Sequence, residues 1–257
     1  MTTNEVVPDS SRGKLTRVLP VVVGLLVFVL LGVVAASMIA SARHSVDETL
    51  CHSNLVKLRH ALVEYASVHG SLPPAVLPGP DGKTAHSWRV LILPYLDSWG
   101  IDGRAIYEAY DMAEEWNAPG NRRLFKLVAQ SRFACPCGPE EDTTLTSYVV
   151  IVGGNTLFPP GGTVSASKLP NNVDPILVIE ISSSDIEWPE PRDLSVSELS
   201  KSSRLNSIAL LKPHGGVIRY ITLSGRLGVL AGDMSVDEVN RLASIDGQAA
   251  NADEELP

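Results

Sequence analysis

The chain has 257 residues, with 21 Lys and Arg against 29 Asp and Glu, a formal charge of −8 and three cysteines. A net acidic chain repels phosphate backbones, which excludes nucleic-acid binding as a main function. Past residue 42 the balance is 18 basic against 27 acidic residues, and the roughly 200 residues there suit one domain with a sizeable core.

Residues 1–17 open with a polar, aperiodic stretch containing Pro8 and are expected as a disordered cytoplasmic tail. Residues 18–42 then run for 25 positions without a charge. A membrane-crossing helix needs about 20 mostly apolar residues, so this stretch is expected to span a bilayer. Arg12, Lys14 and Arg17 precede it, and basic residues stay on the cytoplasmic side. The expected topology is therefore single-pass in the cytoplasmic (inner) membrane, N-terminus inside, with residues 43–247 forming an extracytoplasmic domain. A cleaved signal peptide is the competing reading, with Ala40-Ser41-Ala42 as a cleavage pattern; its apolar core, however, runs only about 7–15 residues.

No Pro or Gly interrupts residues 43–69, and Leu55, Leu58, Leu62, Tyr65 and His69 recur at helical spacing. The spacing predicts a stem helix over 43–69, continuous with the span and stopped by Gly70. Such a helix fits either a packed anchor stalk or a pilin-like stem lying on a sheet.

Residues 75–86 read as a Pro/Gly/Asp loop. Ser87 is placed to cap a helix with Trp88, Leu91, Ile92, Tyr95, Leu96 and Trp99 on one stripe, which Pro94 should bend or end. Further helices are expected near 104–112 and 121–130. Short β-rich runs at 148–152, 176–181, 207–211, 217–222 and 226–230 predict an antiparallel sheet. His214-Gly215-Gly216 and Ser224-Gly225 supply turns, and 155–175 reads as a loop. Ser235-Val236-Asp237-Glu238 has the form of a capping box before a short helix to about residue 243. Residues 248–257 are small and acidic and are expected as a disordered tail.

Cysteines beyond a membrane most simply pair, so a Cys51 to Cys135 disulfide is expected, leaving Cys137 over. Zinc at Cys135-Pro136-Cys137 is the alternative, but a structural site wants four ligands. No metal or other cofactor is assigned.

Several strings together resemble the bacterial family known as domain of unknown function 1559. They are Cys51-His52-Ser53-Asn54-Leu55, His86-Ser87-Trp88-Arg89-Val90-Leu91-Ile92-Leu93-Pro94-Tyr95-Leu96, Trp116-Asn117-Ala118-Pro119-Gly120-Asn121-Arg122, Cys135-Pro136, Thr146-Ser147-Tyr148, Glu190-Pro191-Arg192-Asp193 and His214-Gly215-Gly216. The resemblance implies an α+β fold in which a long N-terminal transmembrane and stem helix packs on an antiparallel sheet, pilin-like, with additional short helices. Two departures stand out. No acidic residue lies between Arg17 and Asp47, where a prepilin carries its register-setting glutamate, and Ser224 stands where the family's turn has Asp. The first implies a permanently anchored pilin-like protein without prepilin cleavage.

The candidate chemistry is sparse. Trp116, Asn117, Asn121 and Arg122 combine an aromatic face with amide and guanidinium donors that can grip a sugar or carboxylate. Trp188, Glu190 and Arg192 form a second such group. Their structural reading is a core tryptophan, a helix cap and an Arg to carboxylate loop closure. Glu180, Glu187, Glu190 and Asp193 lie close enough in sequence for calcium, but at no EF-hand spacing. There is no G-x-S-x-G, Walker A, G-x-G-x-x-G or H-E-x-x-H string, so no catalytic residue is assigned and no enzyme is expected. The expected role is noncatalytic, through contacts with the membrane, with envelope proteins or with itself. The alternatives are a solute- or glycan-binding module and a minor pseudopilin.

Overall fold

The computed structural model describes residues 10–96, 102–129, 133–135, 144–181, 184–205 and 217–247. The chain divides into two compact units, residues 1–47 and 48–257. The expectations for the strand at 207–211, for His214-Gly215-Gly216, Cys137 and Trp99, and for the tail at 248–257 fall outside the described residues.

In the first unit, helix α1 (Ser10–His69) begins inside the segment expected as a tail and runs on through the apolar stretch. Every side chain from Val27 to Ile39 is exposed, Phe28 by 76% and Met38 by 67%. Among the described residues no helix is long and apolar enough to cross a membrane. The part of the stretch whose side chains are described, 27–39, is shorter than the roughly 20 residues a bilayer demands.

In the second unit, the continuation of α1 buries Cys51, Leu55, Leu58, Leu62 and Ala66, a recurrence of three and four that lays one helix face on the core. The helix ends as Gly70 predicts. Gly70 takes φ +74°, and its N–H donates to the Ala66 carbonyl at 2.9 Å, a left-handed C-terminal cap.

The central sheet has four antiparallel strands in the order β3 (Tyr148–Val149), β5 (Ile176–Glu180), β7 (Val217–Thr222) and β8 (Leu227–Ala231). Strand alternation, interrupted in β5 by a bulge between Ile176 and Val178, divides the core in two. On one face Tyr148, Leu177, Val178 and Ile221 pack with the α1 leucines and Trp88. On the other, Val149, Ile179, Ile218 and Leu230 pack with Val236, Val239 and Ala243 of α6 (Val236–Ala243). The fold is thus mixed helix and antiparallel sheet, as expected.

Several boundaries differ from expectation for local reasons. The single strand expected over 148–152 is two, because the Val150 N–H turns away to donate to Asp193 Oδ1 at 3.0 Å. Its second half, β4 (Ile151–Val152), pairs in parallel with β6 (Leu194–Ser195). The loop expected over 75–86 contains a hairpin of β1 (Val76–Pro78) and β2 (Ala85–Ser87). Its tip is held by Asp81, whose carboxylate accepts from Lys83 N, Thr84 N and Thr84 Oγ1 at 2.8–2.9 Å. Ser87 caps α2 (Trp88–Leu91), and Pro94 heads the 3-10 turn that follows, so the predicted stripe ends early. Helices α3 (Gly103–Ala109) and α4 (Pro119–Ala129) lie where two helices were expected. Ser235 caps α6 by accepting from Glu238 N, whereas the complete reciprocal capping box belongs to Ser195 and Glu198 at α5 (Val196–Leu199).

The turn at Ser224-Gly225 closes against α1. Arg59 Nε donates to the Leu223 carbonyl at 2.7 Å, and Gly225 (φ +101°) passes so near that guanidinium that a Cβ there would lie 3.1 Å from Nε. The carboxylate that Ser224 lacks comes from elsewhere in the chain. Asp174 accepts from Ser224 N, Ser224 Oγ and Thr222 Oγ1 at 2.6–2.8 Å.

His86 is fully buried between Tyr110 and the 112 turn. Its Nε2 lies 3.0 Å from the Met112 carbonyl and must carry the proton, which leaves Nδ1 to accept from the Tyr110 hydroxyl at 2.9 Å. Burial holds the ring below the usual histidine range, the Met112 carbonyl opposing. The folded state therefore prefers neutral histidine, and the stability it contributes is present above about pH 6.5 and lost as pH falls through the lower folded value. Thermal unfolding followed from pH 7 to 5 is expected to show a falling midpoint, with a shallower fall in His86→Gln. An equal slope in both would contradict the assignment.

Candidate functional site

The predicted ligand residues do converge, but on one another. Trp188 is fully buried, stacks on Phe133 at 5.4 Å between centroids, meets Phe125 edge-on at 6.0 Å and spends its indole N–H on the Phe125 carbonyl at 3.2 Å. Trp188 is a core residue, with no face open to a ligand. Trp116 is half-buried and stacks on Phe125 at 6.1 Å, while the Arg122 guanidinium lies 5.4 Å over that ring and pairs with Glu187 at 2.9 Å. Glu190 accepts from Arg192 Nε at 2.7 Å, and Arg192 also pairs with Asp185. Asn117 is exposed. The helix-ordering amide is Asn121 instead, bonded to both backbone groups of Asp111 and to the Glu115 carbonyl at 2.9–3.0 Å.

The four acids considered for calcium do not gather. Glu187 and Glu190 are taken up by arginines, while Asp193 belongs to a buried polar node. There Arg89, with no exposed surface, meets Asp193 at 2.6 Å and donates twice to the Tyr148 carbonyl, at 2.7 and 3.1 Å, and once to Ser87 Oγ at 2.9 Å. Asp193 also accepts from Trp88 Nε1 and Val150 N at 3.0–3.2 Å. Three of the strings that carry the resemblance, around residues 87–89, 146–148 and 190–193, therefore meet at one structural knot. Every nitrogen of this guanidinium meets a carboxylate, carbonyl or hydroxyl acceptor, which is the condition for burying a charge.

Glu180, the fourth acid, lies apart from them. It is 2% exposed at the end of β5, directly across the ladder from Tyr148, and neither of its oxygens receives a hydrogen bond. Against it sit Cys51, the first residue of the buried α1 stripe, and Cys135. The Cys135 backbone is fixed by an N–H to Ser147 Oγ bond at 2.9 Å. The two sulfurs, 84 residues apart in sequence, lie 2.7 Å from each other, so the predicted partners do meet. One ligand atom each from Cys51, Cys135 and Glu180 fall within 4.8 Å of one another. Contact with Cys135 and burial push the Cys51 thiol up, and the Glu180 charge adds to this. Burial, followed by the same charge, pushes the Tyr148 phenol well up. Sequence reasoning missed this trio because its members lie on a helix, a loop and a strand. The available signal was a lone acid closing the apolar run Ile176-Leu177-Val178-Ile179-Glu180-Ile181.

A surface groove of about 530 Å³ is lined by residues 170–174, Leu223, Ser224 and Arg226, and none of the predicted ligand residues is among them. Among protein families, the model described as "Protein of unknown function (DUF1559)" matches residues 41–169. No curated protein and no solved structure matches the chain.

Proposed function

The chain belongs to the DUF1559 family of proteins of unknown function, and from that premise we propose a noncatalytic, single-pass, membrane-anchored protein whose pilin-like domain works outside the cytoplasm through protein contacts. The observation that carries this reading is the change in character along α1. From Cys51 to Ala66 one apolar stripe is buried against the sheet, whereas from Val27 to Ile39 apolar side chains are exposed on every face. A helix that is apolar all round is covered by lipid or by other protein. The uncharged sequence of residues 18–42 provides enough length for lipid.

Arg12, Lys14 and Arg17 support an inward N-terminus. The missing acidic residue between Arg17 and Asp47 favours a permanent anchor over a filament subunit, and the enclosure of Trp188 favours protein contacts over a solute or glycan site. Protease added to intact spheroplasts is expected to digest the 48–247 region, and protection of that region would overturn the reading.

A further inference from the structure

We propose that Cys51 and Cys135 are joined by a disulfide that clamps α1 within the 48–257 unit, and that Glu180 guards this bond against reduction. The two sulfurs lie 2.7 Å apart, nearer than even carbon atoms pack without a bond, at about 3.5–4.0 Å. A shared cation does not account for the contact. Two thiolates on one tetrahedral zinc, each about 2.3 Å from the metal, stand about 3.8 Å apart, and a structural site takes four ligands. Among the described residues only Cys51, Cys135 and Glu180 converge here.

Joining takes one hydrogen from each thiol and forms one S–S bond. The two electrons and two protons pass to a protein disulfide of the exchange-catalyst class, which leaves as two thiols. Cys51 has no exposed surface, so the exchange precedes closure of α1 over the sheet. The oxidising compartment it needs is the extracytoplasmic side, and to that extent the proposal rests on the extracytoplasmic reading.

Position gives the bond its role. Leu50 is exposed and Cys51 is the first buried residue of the α1 stripe, so the clamp holds the first turn of the helix that the domain covers. Its partner lies 84 residues on, and a cross-link over a long loop restricts the unfolded chain more than one over a short loop. One Glu180 oxygen lies within 4.8 Å of both sulfurs. The sulfur contact and burial already push the Cys51 thiol up, and the Glu180 charge adds to them. Reduction by exchange must expel a thiolate, and a thiol of higher pKa leaves more slowly.

The test uses the full chain, acid-quenched in cells, alkylated without reductant and digested. A peptide pair joining Cys51 to Cys135 is expected in wild type and in Cys137→Ser, and is expected to be absent from Cys135→Ser. A link through Cys137 instead would overturn the pairing. Both thiols alkylated in a domain that external protease digests would overturn the disulfide and leave the topology standing. Both alkylated in a protease-protected domain would overturn the topology, and the purified chain in oxidised glutathione then decides the disulfide. Joining there supports it, and continued alkylation of both thiols overturns it. For Glu180, dithiothreitol is expected to reduce the bond in folded Glu180→Gln at least about threefold faster than in wild type, while in urea the two chains reduce alike. Equal rates in the folded chains would overturn the guarding role.

Discussion

Replacing Arg89 with alanine is expected to destabilise the 48–247 domain by about 3–5 kcal/mol, the range for breaking a buried ion pair from one side. The loss has several parts acting together. The Asp193 carboxyl, which burial already pushes up, is left without its counter-ion, the Tyr148 carbonyl loses two donors and Ser87 Oγ loses one. Because a domain is stable by only about 5–15 kcal/mol, this is a large share of the total. Arg89→Lys should recover only part of it, since a single ammonium cannot reach Asp193, Tyr148 and Ser87 with the fork geometry of the guanidinium. Urea unfolding of both variants measures the difference. An unfolding free energy for Arg89→Ala within about 0.5 kcal/mol of wild type, the scale of ordinary surface changes, would show that the node is not a structural knot.

Trp188→Ala is expected to cost a similar amount, about 3–5 kcal/mol, the usual range for a buried tryptophan. Its ring lies between Phe133 and Phe125, and its N–H satisfies the Phe125 carbonyl, so the substitution opens a cavity and orphans an acceptor. Trp116→Ala removes a half-buried ring with one stacking partner and should cost much less, about 1 kcal/mol. A pair of tryptophans shared by a ligand site would behave differently, leaving stability nearly unchanged in both variants. Equal and small losses would therefore restore the binding reading that the packing argues against.

Local signals in the sequence carried much of the fold. The leucine spacing of 55, 58 and 62, the Gly70 stop, the Ser87 cap and the Pro94 break each act within a few residues, and each is found in the structure. Long-range competition was not legible. Strand 148–152 is split because Asp193, 43 residues on from Val150, takes its N–H, and periodicity within the run contains no trace of that. The loop residue Asp174 likewise supplies the carboxylate missing at Ser224 from 50 positions away.

The candidate site divided along the same line. Cys51 and Cys135 were recognisable because cysteines are few, but Glu180 became meaningful only when β5 carried it to them. Trp188, Glu190 and Arg192 resembled ligand groups because binding sites and buried polar knots draw on the same residue types. Only their partners, Phe125, Phe133 and Asp185, separate the two.

The claim of an anchored domain outside the cytoplasm is tested most directly by proteolysis of intact spheroplasts expressing the chain with an N-terminal epitope. The account predicts loss of the full-length band and survival of a short, membrane-associated, epitope-bearing fragment that disappears only on lysis. A full-length chain that resists protease until lysis, or an epitope already severed from the domain before protease is added, would contradict it.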